Sequence, residues 1–150
     1  MELIDAVTDF SIEKDIVRPE YDVEFRISED REVFAWGRSL VPYQVYSSLC
    51  CVAYTHEIPI NMEQLTEYSI NHSPYRGDIA VAYTVWNCSD TKGSGRSLIL
   101  ALQKHFSSHA KVNRLVTLSP LTEMAKRFHL SNGATLLFTN PESYNFEYEI

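Results

Sequence analysis

The feature that most constrains this chain is an almost wholly apolar run at residues 79–86. It leads through Asp90-Thr91-Lys92-Gly93-Ser94-Gly95-Arg96-Ser97 into an amphipathic segment over 95–108. A run of that length and composition reads as a strand covered on both faces. A glycine turn feeding a helix leaves the first N–H groups of that helix without acceptors. Gly93 and Gly95 lack a Cβ, so the backbone can turn until successive N–H groups converge, with the positive end of the helix dipole behind them. That arrangement suits an anion. A Walker A loop needs Gly-Lys-Ser/Thr at its end, and a dinucleotide fingerprint needs a third glycine where Leu98 stands, so neither is present. The same residues also have the form of a turn that only joins strand to helix.

A chain of 150 residues, 45% of them hydrophobic and 12% aromatic, suits one domain over 1–150 with a core of its own. No stretch approaches the roughly 18 consecutive apolar residues of a membrane helix. The start, Met1-Glu2-Leu3-Ile4-Asp5, lacks the basic region and apolar core of a secretory signal, so a cytoplasmic location without membrane contact is expected. Three cysteines, with Cys50 and Cys51 adjacent, do not make a disulfide framework and read as buried thiols. A net charge of −7 argues against a nucleic-acid partner. Lys92, Arg96 and Lys104 still supply a basic spot around the glycine turn.

Residues 1–40 are charged and weakly patterned, with strands expected at 22–27 and 32–37 and no function assigned to them. The core spans 43–149. Residues 44–55 read as a central strand rich in Val, Tyr, Leu and Cys, 61–70 as a short helix, and 72–78 as a surface loop. Leu98, Ile99, Leu102 and Phe106 fall on one side of the helix over 95–108, the side that packs on a sheet. A strand follows at 113–118, and then a helix opened by Ser119-Pro120 and running to about 131, with Asn132-Gly133 as its left-handed cap. Strands at 134–139 and 143–149 close the chain.

The turn around Gly93 and Gly95 resembles the pyrophosphate loop of the GNAT acyltransferase superfamily. Four further segments narrow the likeness: Val52-Ala53-Tyr54-Thr55 with Ile58 and Asn61; Ala80-Val81-Ala82-Tyr83-Thr84-Val85; Leu115-Val116-Thr117-Leu118-Ser119-Pro120; and Ala125-Lys126-Arg127-Phe128-His129-Leu130-Ser131-Asn132-Gly133-Ala134. Together they resemble the catalytic domain of malonyl-CoA decarboxylase, itself a GNAT relative. The resemblance implies an α/β GNAT fold with a mixed, mostly antiparallel central sheet, splayed at its centre and flanked by helices. It implies acetyl-CoA or another acyl-CoA as co-substrate, with no metal. The catalytic serine and histidine of the decarboxylases fall on Ser119 and His129. In GNAT acetyltransferases the position of His129 is commonly a tyrosine that protonates the departing CoA thiolate.

On this likeness Lys92, Gly93, Ser94, Gly95 and Arg96 hold the pyrophosphate, and main-chain N–H groups of Thr84, Val85 and Trp86 polarise the thioester carbonyl. An amine, free or on a protein, attacks while His129 or Tyr83 protonates sulfur. The expected activity is acyl transfer from acyl-CoA. Decarboxylation is the alternative, with Ser119 and His129 orienting the malonyl carboxylate and His129 protonating the enolate. A third reading is a module that binds acyl-CoA or a protein without catalysis.

Plainer roles compete with these. Ser119 before Pro120 has the form of a helix N-cap followed by proline at N1. His129 lies at the edge of the helix face made by Leu121, Met124, Ala125 and Phe128, where a hydrogen-bonded structural histidine is common. Tyr83 and Trp86 suit a core. His105 and His109 have the i, i+4 spacing of a metal pair but no evident third ligand. Two departures from the GNAT pattern stand out: Asp90 opens the loop where Gln or Arg is usual, and 79–86 contains no carboxylate to serve as a base.

Overall fold

Side chains along the central strands alternate between the two faces of one sheet, and both faces are buried, so this period of two sorts the core into two clusters. The computed structural model describes residues 1–28, 30–40, 42–69, 76–109 and 111–150. In chain order the elements are β1 (Glu2–Ile4), α1 (Val23–Arg26), β2 (Arg31–Leu40), β3 (Tyr43–Thr55), α2 (Met62–Ser69), β4 (Ile79–Asn87), α3 (Ser94–Ser107), β5 (Arg114–Thr117), β6 (Ser119–Pro120), α4 (Glu123–Ser131), β7 (Thr135–Thr139) and β8 (Ser143–Tyr148). The sheet runs β1-β2-β3-β4-β5-β8-β6, with β7 added alongside β8. Its pairs are antiparallel except β4 with β5, where α3 carries the chain back across the sheet. This is the mixed, mostly antiparallel α/β architecture expected.

Phe34, Cys50, Val52, Tyr54, Ala80 and Ala82 face α3, which buries Leu98, Ile99, Leu102 and Phe106 against them, and Phe128 of α4 packs on the same side. Val33, Ala35, Cys51, Ala53, Val81 and Tyr83 face the other way, toward Val7, Phe25 and Leu65. All three cysteines are free; Cys50 and Cys51 are buried as the sequence suggests, whereas Cys88, just past the end of β4, is only half-buried.

The sheet opens at its centre. β4 and β5 pair only from Ile79 opposite Arg114 to Ala82 opposite Thr117, and the last bond between them runs from Leu118 N–H to the Ala82 carbonyl at 2.9 Å. Beyond it β4 continues to Asn87 while the other strand turns away to join β8 as β6. A register shift marks the same place: Cys51 lies opposite Thr84 and Val52 opposite Ala82, which leaves Tyr83 as an extra residue on β4. Such a bulge bends the strand and re-aims its side chains.

Three expectations change. Residues 22–27 contain the helical turn α1 rather than a strand, because the Asp22 carboxylate accepts the Phe25 N–H and caps it. The helix after β5 starts at Glu123 and not at Ser119; Thr122 is its cap, accepting the Ala125 N–H at 3.1 Å, and Ser119-Pro120 pairs with Tyr144 and Ser143 instead. Residues 72–75 of the expected loop, and Ile70 at the end of the expected helix, lie outside the described residues. At the end of α4, Gly133 does take the left-handed conformation (φ +93°), and the Ala134 N–H closes back on the His129 carbonyl. Among the described residues no helix is long and apolar enough to cross a membrane.

Candidate active site

The opening between β4 and β5 is a cleft of about 330 Å³. Thr84, Val85 and Trp86 line it from β4, Gly95 from the first turn of α3, Ser119 from β6, and Phe128 and His129 from α4. The structure therefore gathers into one site most of the residues singled out in the sequence.

His129 is 6% exposed. Its ring lies 5.1 Å from that of Phe146, and its Nδ1 is 2.6 Å from the Tyr148 hydroxyl. Burial pulls its pKa down to about 4, so the imidazole is neutral near pH 7. Burial also pushes the Tyr148 phenol up, so Tyr148 keeps its proton. The tautomer sets the roles in this bond: with Nδ1–H donating to the Tyr148 oxygen, Nε2 carries a lone pair, and with the Tyr148 O–H donating to Nδ1, Nε2 carries the proton; Nε2 has no protein partner among the described residues.

Ser119 is 3% exposed, and its hydroxyl is 2.8 Å from Thr117 Oγ1, which itself accepts the Phe146 N–H. Thr122 caps α4, so capping does not account for Ser119. Tyr83 is different. Its ring, 1% exposed, packs edge-on against Phe25 on the sheet face away from His129, and its hydroxyl has no hydrogen-bond partner among the described residues. Tyr83 lines the same cleft as His129, but its ring belongs to the second core cluster, on the opposite face from the Phe146 and Tyr148 rings that hold the imidazole. Alternation along β4 directs Tyr83 to that face.

The Thr84 side chain turns to Asp15, donating to Oδ1 at 2.9 Å, and the Trp86 indole packs in the second cluster under the Arg26 guanidinium. Both side chains are thus committed away from the cleft, which leaves their main chain to face it, along a strand edge that β5 has ceased to pair.

At the glycine turn Gly93 has φ +81° and caps α3 without a side-chain bond. The ladder of α3 starts with the Ser97 N–H on the Gly93 carbonyl at 2.9 Å, leaving the N–H groups of Ser94, Gly95 and Arg96 without intrahelical acceptors. The Ser94 side chain is buried, donating to the Thr91 carbonyl. Lys92 and Arg96 are exposed, with no hydrogen bond or ion pair to other described residues. Gly95 has a second reason to lack a side chain: a Cβ there would meet Phe128 at 2.9 Å. The ring of His105 on α3 and that of His109, just past its end, have centres 5.9 Å apart and are tilted by 47°, and no group of three metal-ligating side chains occurs among the described residues.

Sequence reasoning missed Tyr148 and the segment from Lys14 to Arg26. Lys14, Ile16 and Val17 form one wall of the cleft, and Asp15 and Arg26 make a fully buried ion pair. The partners of these residues lie up to a hundred positions away, so no local pattern announces them.

Neither a protein family nor a curated protein matches the sequence. Among solved structures the chain is similar to malonyl-CoA decarboxylase from Agrobacterium vitis, with 17% identity and a TM-score of 0.68 over 93% of this chain and 56% of that one. It is also similar to AtaTR bound with acetyl-CoA (14% identity, TM-score 0.60, 97% and 94% of the two chains). Arabidopsis thaliana NAA60 in complex with a bisubstrate analogue is a third (15%, 0.56, 87% and 84%). The chain spans about half the length of the decarboxylase it matches. The architecture is the GNAT fold.

Proposed function

We propose that the chain is an acyl-CoA-dependent acyltransferase whose substrate thioester lies in the cleft between β4 and α4. One observation carries this: an unpaired stretch of β4, the bare N-terminus of α3 and a neutral, desolvated His129 surround a single cleft. The free N–H groups of Ser94, Gly95 and Arg96, with the Lys92 and Arg96 side chains, suit the pyrophosphate of coenzyme A. A main-chain N–H on the edge of β4 turned away from β3, within Thr84 to Trp86, suits the thioester oxygen and stabilises the charge that develops on it. An amine then attacks the carbonyl carbon. In the tautomer that carries its proton on Nδ1, His129 Nε2 takes the proton that the nitrogen sheds and passes it to the departing thiolate, so the ring starts and ends neutral. A low pKa fits this relay, because the imidazolium is short-lived and acidic enough to protonate sulfur.

A second reading, malonyl-CoA decarboxylation, is favoured by Ser119 sharing the cleft with His129. No carboxylate lines the cleft among the described residues, and Lys14 is its charged group. A substrate carboxylate would meet no repulsion there, and the Ser119 hydroxyl and His129 would orient it before CO2 departs.

Incubating the pure protein with acetyl-CoA and a panel of amines, and separately with malonyl-CoA, tests both. Acceptor-dependent release of free CoA supports acyl transfer. Conversion of malonyl-CoA to acetyl-CoA without an acceptor supports the second reading. Both acyl-CoAs persisting unchanged removes catalysis and leaves a binding module.

A further inference from the structure

Asp15 and Arg26 pair at 2.6 Å with both side chains fully buried. Asp15 Oδ1 also accepts the N–H groups of Val17 at 2.8 Å and Arg18 at 3.2 Å, together with the Thr84 hydroxyl at 2.9 Å. Arg26 spends its remaining donors on the carbonyls of Arg18 and Tyr21 and on Cys51 Sγ. A buried pair satisfied on both sides in this way fixes the path of the chain around it. It ties residues 15–26 to β4.

What this arrangement fixes in place is Arg18. Its Nε donates to the Tyr83 carbonyl and its Nη2 to the Leu118 carbonyl, each at 3.2 Å. Tyr83 and Leu118 are the residues just past the last paired positions, Ala82 and Thr117. The guanidinium therefore bridges the two strands where their own ladder stops, at the apex of the cleft. A planar fork of donors in fixed geometry can span two carbonyls on separate strands, whereas a lysine ammonium is a single point on a flexible stem.

We propose that Arg18 is a positioning residue: its guanidinium holds β4 and β5 at the separation that admits the substrate and sets the line of the β4 main chain from Thr84 to Trp86. This rests on the acyl-CoA reading for its catalytic consequence, though not for its structural one. A shift of about 1 Å in groups that orient a reacting centre can cost on the order of 100-fold in rate. Arg18 acts through β4 and does not itself line the cleft.

Arg18→Lys and Arg18→Met test this in the full chain, with melting temperature, CoA affinity by calorimetry, kcat and KM, and site-resolved amide hydrogen exchange. The expected result is a folded Arg18→Lys protein with CoA affinity within about threefold of wild type. Its kcat should fall about 10- to 100-fold, and exchange should be faster at the Leu118 amide and over residues 84–86. If Arg18→Met does not fold, Arg18→Lys alone carries the test. A kcat within twofold of wild type in Arg18→Lys, or unchanged exchange at those amides, overturns the proposal. Should wild type turn over neither acetyl-CoA nor malonyl-CoA, the acyl-CoA reading fails and exchange alone decides: faster supports the bridge, unchanged removes it.

Discussion

The Nδ1 of His129 and the hydroxyl of Tyr148 are 2.6 Å apart inside the α3-side core. A carboxylate in that place would favour the imidazolium, but a phenol held protonated by its own burial does not. Desolvation of the ring therefore prevails, and the pKa falls to about 4. Tyr148 also pairs with Leu115 of β5, so the strand that orients the imidazole is hydrogen-bonded to the strand leading to Ser119.

A depressed histidine pKa makes stability depend on pH with a definite sign. Between about 4 and 6.5 the unfolded chain binds a proton at His129 that the folded chain does not. The contribution of the neutral ring is thus complete above 6.5 and lost as pH falls toward 4, amounting to about 3 kcal/mol. Urea unfolding of wild type and His129→Gln from pH 4 to 8 should show the difference between them growing with pH across that window. The acid limb of kcat/KM should likewise fall near pH 4. A pH-independent difference in stability would show the ring to be no more desolvated folded than unfolded.

Replacing His129 by Ala should lower turnover by about 10²- to 10⁴-fold with CoA affinity within a few fold. Tyr148→Phe removes only the orienting bond, and its expected effect is smaller, roughly tenfold in kcat. Steady-state rates with calorimetric CoA binding on both variants check this. Near wild-type rates in His129→Ala would reduce the histidine to a packing role.

Tyr83→Phe should keep turnover within about twofold of wild type. Its hydroxyl is buried on the far face of the sheet with no hydrogen-bond partner among the described residues, so deleting it should leave stability unchanged or slightly higher. A large loss of rate with an unchanged melting temperature would put Tyr83 back into the chemistry.

Asp15→Ala strands the Arg26 guanidinium in a site with no exposure. Breaking one half of such a pair costs about 3–5 kcal/mol, so the midpoint of urea unfolding should drop sharply. A loss under about 1 kcal/mol would show that water reaches the pair.

Most elements after residue 43 are legible because apolar period, glycine and capping chemistry agree there; Ser119-Pro120 is the exception, with the form of a helix start but paired as a strand. The run at 79–86, the helix face of Leu98, Ile99, Leu102 and Phe106, and the Gly133 cap are all found in place. What the sequence does not show is whatever depends on distant partners. The bulge that leaves Tyr83 unpaired needs β3 as its reference, and Arg18 acquires meaning only once Tyr83 and Leu118 are beside it. Asp22 misleads for a local reason, since a short polar side chain capping one turn outweighs the alternation around it.

The central claim, that the cleft and the first turn of α3 form an acyl-CoA site, is tested most directly by titrating acetyl-CoA into wild type and Gly95→Glu in a calorimeter. Gly95 N–H faces the proposed pyrophosphate, and a carboxylate there adds both bulk and repulsion. Wild type should bind, and Gly95→Glu, shown folded by its melting curve, should bind at least about tenfold more weakly, a loss of about 1.4 kcal/mol. Equal affinity in the two proteins, or no binding by wild type at millimolar acetyl-CoA, contradicts the account.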